Sequence, residues 1–333
     1  MKKLLSYSLS IFLLLALVGC GGKGGVKAAS ESFQLRNFPQ IPAPPAVVTD
    51  PVAIAEYQAS AFWCEFLDPA RAFPCDSNVV NGVAAEEVES ALGLYVTLLE
   101  DRCSRSSATK AIGEFFNLVE KFQTANPSSN VYSYFEKQVE HYLYDPNSPV
   151  RDEDLYQVYV SRLAESELTD EDMKWAYSHD SQMCLLNQVG TRAADFVFTD
   201  LRGKRKNLYG IEAEWTLLFF SNPGCPNCRE IVDQLETDPV VAAMMENGSL
   251  AVVNIYIDEE LDKWREYAST YPEAWYTGYD HTHKIRQDLT YNVRAIPSLY
   301  LLDRDKTVLM KDAPSDKVVE KVNALGATRE TIE

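Results

Sequence analysis

Apolar residues follow two different patterns along the chain, and the change between them divides it. From residue 50 to about 188 they recur every three or four positions, the spacing of one helix face. Asp50 and Pro51 form a typical cap and first turn. The spacing predicts further helices at residues 83–99, 111–122, 131–144 and 152–164, and a last one from 169 to about 187.

After this region the apolar residues form short continuous runs between turn residues, which is typical of strands buried on both faces. The predicted strands are residues 216–220, 251–257, 298–303 and 307–311. With helices between them, these runs predict an α/β domain with a four-strand core over residues 187–333. A separate, mainly α-helical domain precedes it over residues 50–186, and a hydrophobic content of 46% is sufficient for two cores.

Two cysteines lie between the first predicted strand and the helical pattern that follows it. The chain reads WTLLFFSNPGCPNCREIVDQL over residues 215–235. This pattern places Cys225 at a helix start and Cys228 one turn later, with Pro226 suited to the first turn. The unpaired amides and positive dipole end of a helix start stabilise a thiolate at Cys225. A C-x-x-C at such a junction usually has a lowered pKa on its first cysteine, but zinc sites and structural disulfides use the same spacing.

A second motif lies downstream, where RAIPS at residues 294–298 opens an apolar run. A proline is unusual there because it cannot donate to a strand ladder. With the dithiol and the segments 189–196 and 200–204, this motif makes the chain from about residue 189 onward resemble thioredoxin-fold proteins of the TlpA/ResA type. The resemblance implies a thioredoxin fold and a cis peptide bond between Ile296 and Pro297.

The same resemblance implies a role for each residue of the site. Cys225 would form a mixed disulfide with a protein substrate, and Cys228 would resolve it. Pro297 would leave the backbone of Ile296 open to pair with the substrate strand. Glu230 would correspond to the proton-relay carboxylate inside the active-site helix, although its register is one residue off. The family also favours reduction of substrates over their oxidation.

Two residues beside the dithiol depart from the family pattern. Gly224 stands where a tryptophan usually precedes the first cysteine, so the thiol would be less shielded. Phe219 stands where thioredoxins carry a buried acid. The family's route for proton transfer at Cys228 is therefore the part of its mechanism that the resemblance predicts least well for this chain.

The start of the chain resembles a bacterial lipoprotein signal. A basic MKK precedes an apolar stretch at residues 4–18, too short for a stable membrane span, and LVGC at residues 17–20 resembles a lipobox. We expect a signal peptide over residues 1–19, lipid (palmitate) on Cys20, and a flexible acylated tether over residues 20–49. Cys20 would anchor the protein in the cell envelope, facing the periplasm on the inner or outer membrane. The alternative is an ordinary secretory signal with an incidental cysteine.

A segment of the helical half has a resemblance of its own. YLYDPNSPVRDE at residues 142–153 is similar to part of an uncharacterised helical domain that precedes TlpA-like modules in some bacterial lipoproteins. That similarity implies architecture and no activity. DPNSP at residues 145–149 is typical of a rigid turn, with Asp152 and Glu153 opening the next helix. A turn explains the segment better than a binding site does.

Four cysteines remain in the helical half: Cys64, Cys75, Cys103 and Cys184. In an exported protein they suggest two structural disulfides, for which three pairings can be drawn. We expect Cys64 with Cys75 and Cys103 with Cys184. The alternative is four buried thiols.

Charge and motif content narrow the function classes. A net charge of -18 argues against binding to nucleic acid and against a broad docking face on anionic lipid. Zinc at the dithiol would need two further ligands, for which His281 and His283 are the sole candidate pair, so no metal is predicted. A peroxiredoxin needs Thr or Ser three residues before its cysteine, where this chain has Asn222. No cofactor motif is present in the sequence.

Two functions remain. The first is a membrane-tethered periplasmic thiol-disulfide oxidoreductase whose partners are protein thiols or disulfides and a redox donor. The second is a non-catalytic binding or scaffold lipoprotein, in which Cys225 and Cys228 form a structural disulfide. The intact cysteine pair and Pro297 favour the first, because degenerate modules commonly lose one of these residues.

Overall fold

The computed structural model describes residues 34–330. The predicted signal peptide, Cys20 and the first part of the predicted tether lie outside these residues. The chain from Leu35 onward forms one compact unit. Within residues 34–330, no helix combines the length and apolar character that crossing a membrane requires.

The first half is helical, as the spacing of its apolar residues predicted. Its helices are α1 Pro51–Ala61, α2 Ala85–Arg102, α3 Arg105–Ala125, α4 Val131–Leu143, α5 Glu153–Glu165 and α6 Glu171–Cys184, with strands β1 Val79–Val80 and β2 Val83–Ala84 forming a short hairpin before α2. Asp50 Oδ1 accepts the Ala53 N–H at 2.8 Å and Asp152 Oδ1 accepts that of Leu155 at 2.9 Å. Acidic caps therefore fix the starts of α1 and α5.

Aromatic rings fill the centre of this helical half. Trp63 is 1% exposed. It stacks on Phe115 with ring centroids 4.8 Å apart and meets Phe135 edge-on at 5.1 Å. Burying one such side chain contributes about 1.5–3 kcal/mol, so these rings are a large share of the core.

The described part of the predicted tether differs from a flexible linker at residues 36–38. The Phe38 ring lies 5.1 Å from that of Phe66 between centroids, and the Phe38 N–H donates to Glu87 Oε1 at 2.8 Å. The Arg36 guanidinium lies 4.1 Å from the centre of the Phe73 ring. The sequence suggested a flexible tether, but an aromatic and a cationic side chain within it attach residues 36–38 to the helical core.

The second half is an α/β thioredoxin fold. Its strands are β3 Val197–Asp200, β4 Arg205–Asn207, β5 Trp215–Phe220, β6 Leu250–Tyr256, β7 Tyr276–Tyr279, β8 Ser298–Leu302 and β9 Val308–Met310, and its helices are α7 Pro226–Thr237, α8 Pro239–Glu246, α9 Leu261–Ala268, α10 Lys284–Gln287 and α11 Ser315–Glu330. The sheet order is β4-β3-β7-β6-β5-β8-β9. Strand β5 runs parallel to β6 and antiparallel to β8.

Strand β5 is central, and its side chains alternate between two cores. Leu217 and Phe219 pack in the core on one face of the sheet, whereas Leu218 and Phe220 pack in the core on the other. All four are fully buried. The apolar run therefore reflects burial on both faces, as the sequence predicted.

The prediction of a four-strand core was incomplete, because the sheet has seven strands. The additional strands β3, β4 and β7 are three or four residues long, too short to give a clear alternating pattern. Gly278 also weakens the strand signal of β7. The structure explains this glycine, since a Cβ atom there would lie 2.5 Å from the Phe198 ring.

Candidate functional site

The dithiol lies at the junction of β5 and α7, as predicted. Cys225 is the N-cap of α7, Pro226 occupies the first turn, and the Cys228 N–H donates to Cys225 Sγ at 3.2 Å. The two cysteines form a disulfide with Cα atoms 5.2 Å apart. Gly224 has φ 72°, a left-handed conformation that would strain a side-chain-bearing residue. A backbone N–H of the helix start thus points at the Cys225 sulfur.

The two sulfurs have different environments. Cys225 is half-buried, whereas Cys228 is 2% exposed and packs in the same apolar core as Phe219. The aromatic ring of Phe219 stands where a buried acid was expected from the family. The geometry makes Cys225 the more accessible of the two sulfur-bearing residues and Cys228 the protected one.

Glu230, the predicted proton relay, lies on the exposed face of α7. Among residues 34–330 its side chain makes no hydrogen bond or ion pair, so no contact joins its carboxylate to Cys228. Cys228 faces the core, two residues and about half a turn earlier. The relay role of Glu230 therefore stays a prediction.

The segment before β8 forms the other side of the site. The peptide bond between Ile296 and Pro297 is cis, which confirms the prediction. The Ile296 side chain packs against the core that contains Cys228. Within the described residues, the backbone N–H and C=O of Ile296 make no hydrogen bond, so both can bind another chain.

A buried ion cluster joins this segment to the helical half, and the sequence did not predict it. Arg294 Nε lies 2.8 Å from Glu153 Oε1, and Arg294 Nη2 lies 2.9 Å from Asp312 Oδ2. Lys311 Nζ lies 2.9 Å from Glu153 Oε2. The side chains of Glu153 and Lys311 are 1% and 2% exposed. The first residue of α5 is thereby bound to Arg294, which precedes β8, and to Lys311, which follows β9.

The electrostatics of Arg294 follow from this cluster. Burial by itself would lower the pKa of the Arg294 guanidinium, but the carboxylates of Glu153 and Asp312 outweigh burial and raise it. The guanidinium also lies 4.0 Å from the centre of the Tyr144 ring. Arg294 is therefore held charged and fixed three residues before Pro297.

The predicted turn at residues 145–149, which we call the DPNSP turn, is confirmed as a turn. Asp145 Oδ1 accepts the Asn147 N–H at 2.8 Å, and Ser148 Oγ donates to the Tyr142 carbonyl at 2.6 Å. The turn also borders a groove of about 410 Å³, which we call the dithiol groove because Asn227, between the two cysteines, lines it, although neither cysteine does. The groove is lined by Pro146, Asn147 and Pro149 of the turn, by Asn227, Glu230 and Gln234 of α7, and by Ala295, Ile296 and Pro297.

A buried polar triad lies at the end of β5, and sequence reasoning missed it. Ser221 Oγ donates to Asn254 Oδ1 at 2.6 Å and lies 2.9 Å from the Tyr271 hydroxyl. Asn222 Nδ2 donates to Asp258 Oδ2 at 2.7 Å. Asn254 in the otherwise apolar run of β6 was the available signal. These bonds fix the loop that leads into Cys225.

The disulfides expected between Cys64 and Cys75 and between Cys103 and Cys184 are wrong, because all four thiols are free. Each has its own surroundings. Cys64 Sγ donates to the Ser60 carbonyl of its own turn, and Cys75 Sγ to the Ser128 carbonyl, each at 3.5 Å. Cys184 is fully buried, and burial raises the pKa of its thiol strongly. Burial likewise raises the pKa of the Cys103 thiol.

Two family models match the chain. Residues 21–187 match a domain of unknown function, DUF5106, and residues 213–308 match a thioredoxin-like family. No curated protein matches it.

Solved structures from Bacteroides are also similar. A thioredoxin-like protein from Bacteroides caccae ATCC 43185 is 31% identical, with a TM-score of 0.73, and the match covers 85% of this chain and 97% of that chain. The C-terminal domain of an uncharacterized protein from Bacteroides fragilis NCTC 9343 is 43% identical over 41% of this chain and 97% of that chain, with a TM-score of 0.40. The thioredoxin domain of a thiol-disulfide oxidoreductase from Bacteroides vulgatus is 20% identical over 40% of this chain and 96% of that chain, with a TM-score of 0.36.

Proposed function

Since this chain belongs to the family in which the helical domain DUF5106 precedes a thioredoxin-like domain, we propose that it is a thiol-disulfide oxidoreductase acting on protein cysteines. The observation that carries the proposal is the position of Cys225. Its sulfur caps α7, accepts a backbone N–H and is accessible, while Cys228 lies behind it in an apolar core. A purely structural disulfide needs neither this exposure nor this N–H.

The proposed reaction is reduction of a substrate disulfide by exchange. The Cys225 thiolate attacks one substrate sulfur, so a Cys225–substrate bond forms, the substrate S–S bond breaks, and the departing thiolate takes a proton from water. Cys228 then gives its proton to solvent and attacks the Cys225 sulfur. The enzyme disulfide forms and the second substrate thiolate leaves. Two electrons pass to the substrate, and a dithiol donor must return them to the enzyme.

The site contributes three effects to this reaction. The helix start stabilises the Cys225 thiolate. The second thiol, one turn away, has a high effective concentration for the resolving step. The unpaired backbone groups of Ile296 can hold the substrate chain as an added strand.

The experiment is catalysis of insulin reduction by dithiothreitol. We expect the protein to accelerate precipitation of the insulin B chain and the Cys225→Ser variant to lose the acceleration. Cys64→Ser is the matched control, because Cys64 is another accessible thiol but lies in the helical half. If the protein and its Cys225→Ser variant perform alike, the proposal fails and the scaffold function takes its place.

We further propose that the protein is tethered to the cell envelope through lipid on Cys20 and faces the periplasm. The support is the sequence LVGC at residues 17–20. Growth with an alkyne analogue of palmitate should label the protein, and Cys20→Ala should abolish the label. Labelling that persists in Cys20→Ala would contradict the assignment of the lipid site.

A further inference from the structure

The dithiol groove has walls from both halves of the molecule. It is lined by α7, from Asn227 between the two cysteines to Gln234, and by Ile296 and Pro297. The DPNSP turn of the helical half lines it as well. A polypeptide joined to Cys225 and paired with Ile296 would therefore pass along this turn.

The turn is held rigidly in that place. Its internal bonds fix its shape, and the Ser148 carbonyl accepts from Arg151 Nη1 at 3.2 Å. Arg151 Nε in turn donates to the Asp312 carbonyl at 2.6 Å. The chain then enters α5, whose Glu153 binds Arg294 and Lys311. The wall and the cis-proline segment are thus parts of one bonded structure, and a groove between them keeps its width.

From this geometry we infer that the DPNSP turn is a specificity element: it binds the polypeptide segment that flanks the substrate cysteine. That the bound segment belongs to a protein substrate rests on the proposed function. The contact between the turn and the segment requires only that a peptide thiol be linked to Cys225. The inference gives the helical domain a role in substrate selection. A small disulfide, which has no flanking chain, would not contact the turn.

Charge in the groove indicates which flanking segments fit. Glu230 and Asp316 line it with exposed carboxylates, and Glu230 has no partner among residues 34–330. Among the described residues the one lining cation is Arg151, which donates to the backbone carbonyls of Asp312 and Ser148 and lies 3.8 Å from an Asp312 carboxylate oxygen. The two lining carboxylates outnumber it, so the charge facing an occupant is net negative, and a segment with a lysine or arginine near its cysteine is preferred over an acidic one.

The test is a mixed-disulfide equilibrium on the full chain carrying Cys228→Ala. Cys225 bound to glutathione exchanges with a six-residue peptide that contains one cysteine, giving the Cys225–peptide disulfide and free glutathione. No net oxidation occurs, since one S–S bond replaces another. Intact mass gives the ratio of the Cys225–peptide adduct to the Cys225–glutathione adduct. This ratio measures how strongly the residues that flank the peptide cysteine bind to the protein.

Asn147→Trp is the variant that fills the groove, because Asn147 is exposed on the turn. Asn78→Trp is the matched control. Asn78 is also exposed, and its N–H likewise bonds to the aspartate two residues before it, but it lies outside the groove. We expect Asn147→Trp to lower the preference for peptide over glutathione about tenfold and Asn78→Trp to leave it unchanged.

The charge is tested with peptides that carry lysine or glutamate on both sides of the cysteine. The lysine peptide should be preferred about threefold, and Glu230→Gln should reduce that ratio. An Asn147→Trp variant with the preference of the parent would overturn the inference. The mixed-disulfide equilibrium does not require turnover. If the parent protein failed to reduce insulin but still preferred the peptide over glutathione, only the proposed function would be refuted.

Discussion

At the scale of single residues, the two sulfurs of the dithiol are made unequal by their positions on α7. Cys225 is the cap residue and accepts the Cys228 N–H, so its anion is stabilised by the helix start. Cys228 lies in apolar surroundings that include Phe219, and these disfavour its charged form. The proposed chemistry of the pair therefore starts at Cys225.

We expect iodoacetamide at neutral pH to label the reduced protein first at Cys225, then at Cys64, and only slowly at Cys228. Cys64 is accessible, but burial and the nearby Glu114 raise the pKa of its thiol, so it serves as an internal reference. The fully buried Cys184 should react only after unfolding. Peptide mass spectrometry against time gives the order, and labelling of Cys228 as fast as Cys225 would contradict the assignment of the nucleophile.

At the scale of elements, α5 is the part of the helical half that organises the site. Asp152 caps it, and Glu153, its first residue, is buried between Arg294 and Lys311. A carboxylate at a helix start is itself favourable. The same carboxylate thus stabilises the helix start and pairs with two cations, Arg294 and Lys311, beside the cis-proline strand.

Glu153→Gln should lower the free energy of unfolding by about 3–5 kcal/mol, because it leaves buried positive charge without its partner. Glu171→Gln is the control: Glu171 is also the first residue of a helix and pairs with Lys174 at 2.7 Å, but its side chain is 84% exposed. That change should cost under about 1 kcal/mol. Urea unfolding measures the free energy of unfolding of both variants. Equal decreases would show that the buried cluster contributes no more to stability than a surface ion pair.

The elements themselves could largely be predicted, because their signals are local. Caps, apolar spacing and the run of β5 are read from neighbours in the chain, and the dithiol and Pro297 come with recognisable context. The ion cluster could not be predicted, since Glu153 and Arg294 are far apart in sequence and each resembles a surface charge. The free state of Cys64 and Cys75 likewise depends on where the fold places each thiol.

At the scale of the whole molecule, the helical half and the thioredoxin-like half share one compact unit and one groove. The cluster around Glu153 and the DPNSP turn both lie between them. A helical domain attached in this way completes the surroundings of the cis-proline strand.

We therefore expect residues 187–333 expressed alone to unfold at a lower urea concentration than the full chain, because Arg294 and Lys311 lose Glu153 and apolar surface is uncovered. Far-UV circular dichroism would establish that the fragment is folded, and fluorescence would follow its unfolding. A midpoint equal to that of the full chain would show that the helical half does not support the thioredoxin-like half.

The central claim is that Cys225 exchanges disulfides with protein substrates and Cys228 resolves the product, and trapping tests it most directly. Full chain carrying Cys228→Ala should form a stable adduct with an insulin chain, removed by dithiothreitol, whose cross-linked peptide contains Cys225. The variant with both Cys225→Ala and Cys228→Ala should form none. Absence of the adduct in the first variant, or equal adducts in both through another cysteine, would contradict the account.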